Sequence, residues 1–101
     1  MTADEFRRSL SDAVVPPGLP HALIALWHDG RGDWDEAHRV AQDIHDATGS
    51  HVHAYLHRKE GDEANAHYWY RRAGVAPFDG SLDDEWKEIV GGLLRALHSS
   101  M

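Results

Sequence analysis

The chain has 101 residues, enough for one domain with one modest core. Its 42% hydrophobic and 27% charged residues are those of a globular protein and exclude a disordered one. A net charge of −7, from 17 acidic and 10 basic side chains, argues against a nucleic-acid or anionic-membrane surface.

Thr2-Ala3-Asp4-Glu5 has the form of a capping box and predicts an N-terminal helix within 1–15, with Phe6, Leu10 and Ala13 on one side. Pro16-Pro17-Gly18-Leu19-Pro20 breaks it, because adjacent prolines remove backbone donors and fix φ. A second helix starts at Pro20, carries Leu23, Ile24, Leu26 and Trp27, and ends in Asp29-Gly30-Arg31-Gly32. Asp33 then caps a third helix, with Glu36 three residues on. Trp34, Ala37, Ala41 and Ile44 line one face of it, and Thr48-Gly49 is expected to close it. Ser50 is the expected cap of a fourth helix, whose Val52, Tyr55, Leu56 and Lys59 share a face. Gly61-Asp62 turns the chain into a fifth, with Ala66, Trp69, Tyr70 and Ala73 inward and Gly74 at its end. Ser81 caps a last helix, over 81–98, with an apolar stripe of Leu82, Trp86, Ile89, Val90, Leu93, Leu94 and Leu97. No segment alternates with period two, so the expected fold class is all-α, without a sheet.

An internal repeat organises the middle of the chain. Residues 25–38 laid over 54–67, an offset of 29, match Ala25 with Ala54, His28 with His57, Gly32 with Gly61, Asp33 with Asp62, Ala37 with Ala66 and His38 with His67. Each identity has a physical use. Gly ends one helix, Asp caps the next, and Ala lets the two cross closely. The expected domain is therefore a single unit over 1–101, with two antiparallel helical hairpins in 20–74 between terminal helices.

Tyr55-Leu56, Gly61-Asp62, Ala66, Tyr70, Ala73 and Pro77 resemble the tetratricopeptide repeat in their order of small, turn, aromatic, Ala and Pro residues. The period is 29 where that family uses about 34, and two units are visible where it needs at least three. The resemblance implies that the first and last helices act as caps. His53-Ala54-Tyr55-Leu56-His57-Arg58-Lys59-Glu60-Gly61-Asp62 and Tyr68-Trp69-Tyr70-Arg71-Arg72-Ala73-Gly74 also look like a group of small bacterial proteins of unassigned function. That similarity implies no activity.

Nine histidines are the compositional anomaly. His53 and His57 stand at i, i+4 on one helix, a spacing that can hold a metal, with His51, His38, His45, His67 and Glu60 as possible further ligands. There is no His-Glu-x-x-His pattern, so the first reading of these residues is as boundary histidines bonded to backbone or carboxylate. Tyr68-Trp69-Tyr70-Arg71-Arg72 cannot all face inward, since successive helical residues point about 100° apart. Exposed aromatic and Arg side chains are favoured at interaction hot spots.

Two functions follow as expectations. The leading one is a protein-interaction module, for a partner or for self-association, using a groove between the hairpins lined by Trp27, Trp34, His38, Tyr55, Arg58, Trp69 and Arg72. The alternative is a small ligand- or metal-binding protein using His53 and His57. No Gly-rich phosphate loop, nucleophile elbow or cofactor fingerprint occurs, so no catalytic residue is assigned and no cofactor is expected. The absence of cysteine and of a basic-then-apolar start leads to a cytoplasmic expectation.

Overall fold

The computed structural model describes residues 1–99 and is all-α. Its helices are α1 (Ala3–Ser9), α2 (His21–Gly30), α3 (Trp34–Gln42), α4 (Ala47–Lys59), α5 (Glu63–Ala73) and α6 (Leu82–Ser99). Among the described residues there is no strand, and no helix is long and apolar enough to cross a membrane.

The predicted capping box opens α1. Thr2 Oγ1 accepts from the Glu5 amide, and the Thr2 amide donates to Glu5 Oε1 at 2.8 Å. The helix is shorter than the predicted span to residue 15, and Ala13 lies exposed beyond it. Two causes are visible. Ser9 and Ser11 hydroxyls compete for the carbonyls of Phe6 and Arg8, and the chain tightens into i→i+3 bonds at Leu10, Ser11 and Asp12. Arg31 Nη1 then takes the carbonyls of Leu10 and Asp12, each at 2.6 Å.

The two Gly-Asp turns share one backbone solution. Asp33 N donates to His28 O and Asp62 N to His57 O, both at 2.9 Å. Gly32 and Gly61 sit at φ +83° and +88°, in the left-handed region that glycine enters without steric cost. Asp33 then caps α3 at the Glu36 amide, and Asp62 caps α5 at the Asn65 amide. Ser81 caps α6 through the Asp84 amide, also as predicted.

The α3–α4 junction differs from the sequence expectation. Helix α3 stops at Gln42, and Thr48-Gly49 falls in the first turn of α4 instead of closing α3. The cap of α4 is Asp46, whose carboxylate accepts from the Gly49 amide at 2.9 Å; Ser50 is a buried helical residue. Gly49 marks a close approach here, not a helix stop. A Cβ on it would lie 2.3 Å from the Ile44 carbonyl oxygen.

Helix α4 runs through the middle and packs against α2, α3, α5 and α6, while α1 rests on α6. A helix buried on most sides must be apolar or internally paired nearly all round. Accordingly Val52, His53, Ala54, Tyr55, Leu56 and His57 are all buried. The main core joins Phe6, Leu23, Leu26, Trp27, Val52, Leu56, Trp86 and Val90. Burial of each such large apolar side chain is worth about 1.5–3 kcal/mol relative to exposure. The repeated alanines Ala37 and Ala66 are 0% and 2% exposed, which lets α3 and α5 approach their neighbours. On α6 the predicted stripe buries Trp86, Ile89, Val90 and Leu94, and Trp86 Nε1 donates to Leu26 O at 3.0 Å.

Candidate metal centre

The seam between α3, α4 and α5 gathers aromatic and imidazole rings from three helices. Trp34, at the start of α3, donates its indole N–H to the Leu56 carbonyl at 2.8 Å, which pins the ring over α4. One turn later on the same face, His38 stacks on Trp34 with ring centres 4.9 Å apart and planes 9° apart. From α4, His53 and His57 project side by side at i, i+4, with ring centres 4.9 Å apart. From α5, Trp69 covers the other side of His53 at 4.0 Å. Arg72 lies over Trp69 at 5.3 Å and donates to Tyr68 Oη.

The three imidazoles converge. His38 Nε2 and His53 Nε2 are 2.8 Å apart, a hydrogen bond that requires one ring to donate and the other to accept. Ring centres of His38 lie 4.6 Å from His53 and 5.3 Å from His57. One ligand nitrogen from each of His38, His53 and His57 falls within 4.8 Å of the other two. His57 Nδ1 is held by Glu60 Oε1 at 2.7 Å, so its Nε2 is the nitrogen left for the cluster.

Burial and mutual proximity disfavour the charged forms of His38 and His53. Burial, followed by the proximity of His38 and His57, lowers the pKa of His53 from 6.5 to about 4. Burial and then His57 also lower that of His38, against a smaller opposing pull from Glu60 and Asp35. Both imidazoles therefore present lone pairs near neutral pH, the form in which histidine ligates metal.

The residues named from the sequence part company here. Trp34, His38, Trp69 and Arg72 share the seam with His53 and His57. Trp27 and Tyr55 do not reach it; they are 3% and 2% exposed and offer no surface to a partner. Trp27 donates to Ser9 O, and Tyr55 Oη donates to Asp29, which also takes Lys59 Nζ at 2.8 Å. Arg58 belongs to another network, where it donates to Glu85 Oε1 at 2.9 Å and to the Gly80 carbonyl.

Among the other possible ligands, His51 faces Glu85 at 3.5 Å, on the Tyr70 side of α4. His45 and His67 are exposed, and Glu60 orients His57. The repeat-mate of His57, His28, packs against Trp27 and has Arg31 where His57 has Glu60. Divergence at that one turn position separates an orienting carboxylate from a guanidinium that ties down the α1 end.

Glu85 is a buried polar residue that the sequence reading did not single out. It is fully buried and accepts from Arg58 and from Tyr70 Oη, the latter at 2.5 Å. Burial raises its pKa, but the bonds from His51, Tyr70 and Arg58 together outweigh that and hold it below its ordinary value. The signal was its place four residues before Ile89, on the flank of the apolar stripe. Among the described residues no buried side-chain nitrogen or oxygen lacks a partner.

No family model matches this chain, and comparison with curated proteins and with solved structures finds no match either. The functional reading therefore rests on the fold and the three-histidine seam.

Proposed function

We propose that this protein binds one divalent transition metal ion through His38, His53 and His57. The observation that supports this most is the convergence of three imidazoles from two helices, with one donor nitrogen from each within 4.8 Å of the other two. Imidazole donors without thiolate suit zinc, copper, nickel or cobalt. A tetrahedral ion with metal–nitrogen bonds of about 2.0–2.1 Å puts ligand nitrogens about 3.3 Å apart and imidazole centres about 5 Å apart. The ring-centre separations of 4.6, 4.9 and 5.3 Å already bracket that value. Entry of the ion replaces the His38–His53 hydrogen bond and asks the parallel His53 and His57 rings to rotate about χ2, a soft torsion. Glu60 supplies the carboxylate–imidazole pairing that fixes the tautomer of a ligating histidine.

Calorimetric titration of tag-free protein with Zn²⁺ tests the reading. The expected result is one site per chain, abolished by His38→Ala and by His53→Ala and retained by His67→Ala, the exposed repeat-mate of His38. Binding that survives both seam substitutions would overturn it.

A second reading keeps the chain as an interaction module. It is favoured by α5, where Tyr68 is 43% exposed beside Trp69 and Arg72, a combination enriched at interface hot spots. The matching turns of the α2–α3 and α4–α5 pairs support a repeat of the tetratricopeptide kind behind that face. Pull-down with Tyr68→Ala and Arg72→Ala as controls tests it, and a monomer without a partner speaks against it.

A further inference from the structure

We infer that the metal centre keeps one coordination position open to a small monodentate anion from solution. This rests on the metal-binding reading and goes one step past it. A closed structural zinc site has four protein ligands, whereas a site with three holds an exchangeable ligand in the fourth place. Among the described residues the seam gathers three donors and no fourth His, Cys, Asp or Glu joins them at that separation. The Glu60 carboxylate is engaged on Nδ1 of His57, away from the cluster.

The rest of the surroundings leave the position vacant for chemical reasons. Trp34 and Trp69 present ring faces to His38 and His53, and an indole face has no lone pair to donate. His38 is only half-buried, so the cluster reaches solvent along α3. A cavity of about 270 Å³ adjoins His53 and is lined by His45, Asp46, Ser50, Trp69 and Arg72. Of its charged groups, Asp46 caps the Gly49 amide and keeps its negative charge, which the Arg72 guanidinium offsets. The bound ion adds positive charge of its own. A small anion is the ligand class that this lining and this donor set suit.

Cobalt(II) makes the coordination visible, because its ligand-field absorption changes in position and intensity with ligand number. The full chain is loaded with Co²⁺ and titrated with azide, with the absorption spectrum as readout. The expected result is stoichiometric Co²⁺ uptake followed by a saturable change of the cobalt bands as azide enters. Stoichiometric uptake with bands that saturating azide leaves unchanged would overturn the open position while leaving the metal site standing. Failure of Co²⁺ and of Zn²⁺ to bind at all would overturn the site itself, and this inference with it.

Discussion

Trp69 stacks on His53 with ring centres 4.0 Å apart and planes 14° apart, while His57 lies parallel on the other side. The imidazole is held in a slot between an indole from α5 and a neighbour from its own helix. Packing therefore settles its χ1 before any ligand arrives and leaves χ2 as the torsion that ligation turns. Trp69→Ala removes one wall of the slot. The expected loss is about 2 kcal/mol of folding stability, below the cost for a fully buried tryptophan because the ring is only partly buried. Chemical denaturation of the metal-free protein measures it, and the Zn²⁺ affinity is expected to fall as well.

Glu60→Gln separates orientation from packing. The side chain is partly exposed, so its pairing with His57 adds little to stability. Loss of the carboxylate is nevertheless expected to lower metal affinity by about 10–100-fold, the usual effect of removing a partner that fixes a histidine ligand. Calorimetric titration beside a denaturation curve checks both halves. Unchanged affinity would show that Glu60 does not orient the ligand.

The depressed pKa of His53 sets an acid limit on the metal-free fold. In the unfolded chain the imidazole takes a proton near its ordinary value of 6.5, in the folded chain only near about 4. Between those values the unfolded state binds more protons, so stability is fully present above about pH 6.5 and falls as the pH drops. From His53 alone the loss by pH 5 is about 2 kcal/mol, and it levels off below about pH 4. Denaturation midpoints across this range test the effect, and His53→Gln is expected to flatten the curve.

Glu85→Ala strands Arg58 and Tyr70. Removing one partner of a buried ion pair leaves the other charge without compensation, at a cost of about 3–5 kcal/mol. The variant is expected to unfold at much lower denaturant, whereas Glu85→Gln keeps two polar atoms in place and loses less. Thermal unfolding of the two variants side by side gives the comparison.

The helix order, most of the caps and the two Gly-Asp turns were legible because each depends on local chemistry. Thr2, Asp33, Asp62 and Ser81 bond to amides three residues away, and Gly32 and Gly61 answer to their own φ angles. The α3–α4 boundary was misread because glycine has two uses. At Gly49 the missing Cβ makes room for Ile44, which the connector folds back against the first turn of α4. The site was half legible. His53 and His57 follow from a helical spacing, and His38 was named both as a possible ligand and as a groove residue. What joins them is the packing of α3 on α4, which no local rule contains. Tyr55 and Arg58 failed to reach the seam for the converse reason. The buried carboxylates of Asp29, on α2, and Glu85, on α6, claim them.

The contact between Gly49 and Ile44 has a consequence for how the protein tolerates change. It holds the connector after α3 close against the first turn of α4. Substitution by alanine wedges a methyl group into the joint, at a cost of about 1–3 kcal/mol. The first property lost is not the fold, which α2 and α6 brace from elsewhere, but the alignment of His38 with His53. A lineage that lengthened this joint by a residue would keep a helical domain and part His38 from His53 and His57.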